Sequence, residues 1–351
     1  MKGIIKYKLK SAKPALIACV IILIASVIVL FVDFYSFENV FGTFYMNRID
    51  ENLIWAPIAL ILLATWLGLI FTSEYGNKDT ECFFAVLPVK NRDRFIVSLM
   101  LGIGVLLVMG VITLIAVCIS HSISFTEFAR ANLFSENYEI ITKMDGLGNA
   151  LVRIIQMYVF AIMFYCIAVF AGVSARDKRV AVLIIIMVLF FPTVMGTIIQ
   201  LLEKIFSIDF SAVEKLINYG SCYQLTDWNA CIYVNDEFFV CYDNVLESIV
   251  VAGVMVVIYV VGAFLMATVA NRNSGNIVIG KGMEKVFIAA IAINVASVVS
   301  ALLVSTEFDS SIVIAIMIVV FALIVFGLFK IIYYGKKYSH LNAKEGTKNE
   351  K

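Results

Sequence analysis

Charge is scarce in this sequence: Lys, Arg, Asp and Glu make up 15% of its 351 residues, against about 25% in a soluble domain. Histidine is scarcer still. The two present, His121 and His340, fall on opposite sides of the topology derived below, so they build no shared site. No HExxH, GxSxG or paired-cysteine zinc spacing occurs, which removes the commonest hydrolase and zinc chemistries. The one phosphate-loop lookalike, Gly275-Asn-Ile-Val-Ile-Gly280-Lys281-Gly282, has glycine where the motif requires Ser or Thr. It also lies in a short loop with no room for a nucleotide-binding fold. The chain is therefore expected to be no enzyme and no ATPase, with no cofactor, metal or nucleic acid to bind.

Hydrophobic residues are what the chain has instead, 62% of it, with a mean hydropathy of +0.97. About 20 apolar residues cross the roughly 30 Å hydrocarbon layer. Eight segments meet that length: 15–32, 53–71, 95–119, 151–173, 180–201, 245–270, 286–304 and 312–334. The expected fold is thus an all-α polytopic membrane protein of about eight spans, with a transmembrane domain over 15–334. These spans hold almost no ionisable side chain. Arg153, near an outer end, and Gln156, Gln200 and Asn294 are the main strongly polar groups. Proton- and sodium-coupled carriers usually need buried carboxylates or similar ion-binding groups at membrane depth, so a self-powered carrier is disfavoured. Pro57 and Pro192 fall in the second and fifth spans, where single prolines are common packing features.

The basic residues set the orientation. The N-terminus, the loops 72–94, 174–179 and 271–285, and the C-terminal end with Lys330 hold 21 of the 27 Lys and Arg but only 8 of the 26 acidic residues. The other side holds 6 basic and 18 acidic residues, so the two sides carry formal charges of +13 and −12. Both termini are expected in the cytoplasm and the protein in the cell membrane. The first span is too long for a signal-peptide core and no small-x-small cleavage site follows it before Asp33, so it reads as a retained anchor. Ahead of it, residues 1–14 are basic. On a helix, Lys2, Lys6, Lys10 and Lys13 gather on one face opposite Ile4 and Tyr7. Such a segment suits the headgroup layer beside anionic lipid, and equally a disordered start that only sets orientation.

The insert 72–94, between the second and third spans, carries the most functional information. A helix from about Asp79 puts Thr80, Phe83, Phe84 and Leu87 at i, i+3, i+4 and i+7, one apolar stripe. Asn77 is placed to cap it, and Pro88 pushes Leu87 out of helical geometry. The stripe suits a helix floating on lipid, phenylalanines down, or one that docks onto a cytoplasmic partner.

An acidic Glu74 after the second span, Thr80, the Leu87-Pro88-Val89 step and the basic Lys90, Arg92 and Arg94 follow one another in this insert. In that order they resemble the cytoplasmic coupling region of permeases of the ABC type-2 exporter family. The resemblance covers about 27 of the 351 residues. It departs from the family pattern at Asp79, where glycine is usual, and at Ser98, in the neighbourhood where a lysine often stands. The family's core also has six spans, which makes the last pair an addition. The resemblance implies an exporter permease that forms the membrane path and pairs with a second copy or a sister permease. Each half would rest its coupling helix on an ABC ATPase subunit. Phe83, Phe84 and Leu87 would then be buried contacts, with Glu74, Arg92 and Arg94 as the polar rim. The other reading of the chain is a membrane sensor or immunity partner that binds a peptide or signalling protein without transport.

The outer loop 202–247 is long enough to fold as a small α/β region. Ser211-Ala-Val-Glu214 has a capping-box pattern ahead of Leu216 and Ile217, with a stop at 218–220. Cys231-Ile-Tyr-Val and Phe238-Phe-Val-Cys241 read as a hairpin around Asn235-Asp-Glu237. A three-residue turn sets Cys231 across from Cys241, where a disulfide is possible, with Cys222 left over. The family has short outer helices at this place. Cys19, Cys118 and Cys166 fall in spans as packing residues. The segment 120–150 offers no usable pattern, and the tail 335–351 is charged and expected to be disordered.

Overall fold

A computed structural model describes residues 2–33, 38–40, 43–45, 55–75, 90–131, 147–175, 178–206, 209–219, 231–234, 237–240, 245–268, 288–294, 319–320, 322–323 and 326–327. They are nearly all helical. The helices are α1 (Lys2–Ser11), α2 (Lys13–Asp33), α3 (Trp55–Phe71), α4 (Asn91–Ala131), α5 (Leu147–Ser174), α6 (Lys178–Phe206), α7 (Ser211–Tyr219) and α8 (Val245–Thr268). One turn of 3-10 helix, Ser73–Tyr75, follows α3. Residues 288–294 are also helical.

Four of these helices carry segments long and apolar enough to cross a membrane: Lys13–Leu30, Asn91–Ile123, Ala150–Ser174 and Val245–Thr268. Helix Ala56–Phe71 is equally apolar but shorter. The described residues are those of a largely helical membrane protein, and each of these helices overlies a segment expected from hydropathy. Helix α4 is the exception in length. Its 41 residues extend to Ala131, well past the expected end at 119, and span about 60 Å, twice a hydrocarbon layer. The expected spans at 286–304 and 312–334 lie mostly outside the described residues.

The chain divides into two compact units. The first comprises residues 1–185 and 218–270, and α5 is its axis. Of the Ala150–Ser174 window, 78% is buried, against 11% to 39% for the other three spans. Helices α3, α4 and α8 all pack on α5. In lipid, apolar side chains gain little by leaving the solvent, so helices associate through close van der Waals fit between small residues. Helix α3 supplies Ala56, Leu60, Ala64, Gly68 and Thr72, all buried and four residues apart. Gly68 meets Ala168 and Thr72 meets Gly172. A Cβ at Gly172 would lie 2.0 Å from Thr72 Oγ1, so only glycine admits this approach. Helix α8 likewise turns Ser248, Ala252, Ala263 and Ala267 inward and exposes Leu246, Val250, Val254, Val257, Val261 and Leu265. Such an inside-out distribution is stable only where the outer surface meets lipid.

Two short hairpins also belong to this unit. Strand β1 (Glu38–Val40) pairs with β2 (Thr43–Tyr45), a hairpin with no counterpart among the sequence expectations. Strand β3 (Cys231–Val234) pairs with β4 (Glu237–Val240) in the register Cys231↔Val240 and Val234↔Glu237. This register leaves two residues between the strands, not the three expected. Val240, not Cys241, stands across from Cys231, and Cys241 lies outside the described residues.

In the second unit, residues 186–217 and 271–351, the start of α7 differs in detail from the expected capping box. The cap is one residue earlier. Phe210 C=O accepts from Val213 N (2.9 Å) and Glu214 N (3.0 Å), and the Asp209 carboxylate accepts from Ser211 N at 2.8 Å. That last bond holds the Asp209 carboxyl below the usual carboxylate range.

Gly172→Val should lower the melting temperature in detergent by an amount equivalent to about 1–3 kcal/mol, the cost of overpacking a tight contact. Gly253→Ala, where a Cβ meets nothing within 4 Å, should leave it unchanged. Equal melting temperatures for the two variants would contradict the α3–α5 packing.

Candidate functional site

The densest polar cluster among the described residues lies where α3 ends and α4 begins, at the base of the insert. Its centre is Glu74, 3% exposed, held in the 3-10 turn that follows α3. Lys8 Nζ sits 3.0 Å from Glu74 Oε1, and Arg94 Nε reaches the same oxygen at 3.5 Å. Lys8 is 1% exposed and Arg94 4%, so three charged side chains are withdrawn from solvent together.

Each of the three Lys8 ammonium donors has an acceptor, Glu74 being one. The ammonium donates to Phe71 O at 2.8 Å and to Ser98 Oγ at 2.6 Å. Phe71 closes α3, and the last carbonyls of a helix have no intrahelical partner. The amine therefore caps the negative end of the α3 dipole as well as pairing with a carboxylate. Ser98 Oγ also lies 3.2 Å from Phe71 O and 2.9 Å from Arg94 O. Ser98 O accepts from Tyr165 Oη at 2.6 Å, which brings α5 into the network. The Tyr165 ring fits against Gly102, where a Cβ would come within 2.1 Å of it.

Arg94 is fixed by two further contacts. Its Nη1 donates to Asn91 Oδ1 at 3.3 Å and its guanidinium lies 5.2 Å from the Tyr75 ring centroid. Burial pushes the Lys8 ammonium below the usual lysine range; the Glu74 carboxylate opposes that shift and Arg94 reinforces it.

Of the residues expected from the sequence, Glu74 and Arg94 come together, buried at the base rather than exposed as a rim. Arg92 turns the other way. It is exposed, with its guanidinium 5.8 Å from the Phe264 ring on α8, and Phe264 in turn packs edge-on to Phe95. Thr80, Phe83, Phe84, Leu87 and Pro88 lie outside the described residues.

Lys8 and Tyr165 carry no mark in the sequence as site residues, and Ser98 stands out only as the departure from the family pattern. The signal for Lys8 was its phase: it stands four residues from both Ile4 and Ala12, which are buried at 6% and 0%. Tyr7, expected beside Ile4, is 44% exposed.

A second polar cluster lies toward the other end of α5. Arg153 Nη1 donates to Gln156 Oε1, Gln156 Nε2 pairs with Ser248 Oγ at 2.6 Å, and Ser248 Oγ donates to Val245 O at 2.8 Å. All three side chains are buried. Between the clusters, Tyr158 and Thr113 join their hydroxyls at 2.8 Å across α5 and α4. Among the described residues no group of three or more His, Cys, Asp or Glu side chains is placed to hold a metal. Comparison with protein-family models, with curated proteins and with solved structures finds no match.

The base cluster predicts an order of losses. Glu74→Ala leaves two buried cations facing each other and should cost about 3–5 kcal/mol of stability. Lys8→Met keeps Glu74 beside Arg94 and Phe71 O beside Ser98, so it should cost less. The double variant should cost less than the two single costs summed, because the sites share partners. Thermal denaturation in detergent reads all three; additive losses would contradict the shared cluster.

Proposed function

We propose that this chain is the membrane-spanning permease subunit of an ATP-driven exporter of the ABC type-2 kind. In this reading it has eight spans with both termini in the cytoplasm of a cell membrane. It forms the translocation path with a second copy or a sister permease, and a separate ABC ATPase subunit hydrolyses the nucleotide.

The observation that carries the reading is the closure of the insert at its base. Glu74, just after α3, and Arg94, in the first turn of α4, meet with Lys8 in one buried cluster. Moving either of these helix ends moves α3 and α4 together, because separating them strands a buried carboxylate and two buried cations. Tyr165 and Lys8 extend the same rigid connection to α5 and α1.

The departure at Ser98 fits the reading as well. Where the resembled family often places a lysine, Lys8 brings an ammonium to Ser98 Oγ from another helix. Phe83, Phe84 and Leu87 then supply the apolar contacts to the ATPase groove, with Thr80 near the start of the coupling helix and Pro88 ending it. Glu74 and Arg94 act as its internal anchor, and Arg92 steadies the start of α4 against α8.

Leu87→Asp puts a charge into the docking stripe without touching any span. In membranes containing the ATPase, this variant should fold normally, lose at least tenfold in bound ATPase and lose transport. A folded Leu87→Asp protein with unchanged ATPase binding and transport would sink the proposal.

A further inference from the structure

Helices α1 and α2 form one nearly unbroken rod. The i→i−4 bonds continue through the junction, from Ala12 N to Lys8 O and from Leu16 N to Ala12 O, both 2.9 Å. Its inner face runs through Ile4, Lys8, Ala12, Ala15, Cys19, Ser26 and Leu30, all buried. At 3.6 residues per turn these positions fall within one narrow stripe.

The opposite face changes character at a single point. Lys6, Lys10 and Lys13 are exposed, spaced four and three residues apart. The same line continues as Ile17, Val20, Ile21, Ile24 and Ile28, all more than half exposed. From Lys6 to Lys13 the helix rises about 10 Å, while a headgroup layer is roughly 5–8 Å deep. Lysine stems lie along apolar surface with the ammonium in the polar layer, which closes that difference. Exposed Tyr7 and Leu9 flank the stripe, and tyrosine favours the headgroup level.

We infer that this face is a binding site for an anionic phospholipid of the leaflet at the Lys13 end of α2. The acyl chain lies along Ile17, Val20, Ile21 and Ile24, and the headgroup phosphate is held by Lys13, Lys10 and Lys6. An acidic protein surface would match the lysines but not the aliphatic line that continues from them. The rod's other face carries Lys8, so a lipid here presses the Lys8 side of α1 onto Glu74 and Ser98.

The test uses the full chain in nanodiscs of phosphatidylcholine with one-fifth phosphatidylglycerol, with bound lipid counted by native mass spectrometry. Wild-type protein should retain phosphatidylglycerol in preference, and added salt should weaken that preference. Each of Lys6→Gln, Lys10→Gln and Lys13→Gln should reduce it about fivefold. Lys215→Gln, an exposed lysine on α7, should leave it unchanged. The substituted side chains are exposed, so the variants are expected to fold, and their melting temperatures verify this. A triple variant with wild-type lipid preference would overturn the inference, as would wild-type protein with none.

Discussion

A single carboxylate in a dry place ties together the helices of the first unit. Glu74 follows the end of α3, out of solvent, and two cations reach it from two other helices: Lys8 from α1 and Arg94 from α4. A buried carboxylate without partners costs several kcal/mol, so once Glu74 is enclosed its partners are drawn in with it. The arrangement holds because each charge has more than one use. Lys8 also closes the last carbonyl of α3, and Arg94 also lies over Tyr75. The end of α3 and the start of α4 are therefore held together.

The rest of the first unit follows the logic of packing in lipid. With no water to flee, the helices close on small residues: Gly68 on Ala168, Gly172 on Thr72, alanines of α8 on α5. Aromatic rings occupy the notches that glycines leave, as Tyr165 does at Gly102. Tyr165 then hands a hydrogen bond to Ser98 O, so tight packing and the polar base meet on one side chain. This is how a charge cluster at one end of the bundle gains a mechanical connection along the length of α5.

The membrane class and the placement of the described helices were legible in the sequence, because bilayer thickness fixes span length and hydropathy reads it directly. What lay between apolar runs was harder. Lys8 was passed over because lysines on an amphipathic segment are normally given to solvent, and only its spacing from Ile4 and Ala12 contradicts that. The burial becomes affordable through Glu74, 66 residues away, a tertiary fact that no local pattern encodes. The β3–β4 register turned on one residue of loop length, since period-two side-chain alternation makes the choice between Val240 and Cys241 all or nothing. The extension of α4 to Ala131 was hidden by the polar composition that follows residue 119. The base of the candidate site was half legible: Glu74 and Arg94 were marked by their order in the insert, Ser98 by its departure from the family pattern, and Lys8 by nothing stronger than phase.

The proposed role turns on whether residues 72–94 engage an ATP-hydrolysing partner. Its most direct test is purification of the chain from its native membrane in mild detergent, with mass spectrometry of the proteins that accompany it and an ATPase assay on the same fraction. The account predicts an ATP-binding subunit in stoichiometric amount, with hydrolysis in that fraction. A clean preparation with no such subunit, or one carrying a signalling protein in its place, would contradict it and favour a membrane partner that binds without transporting.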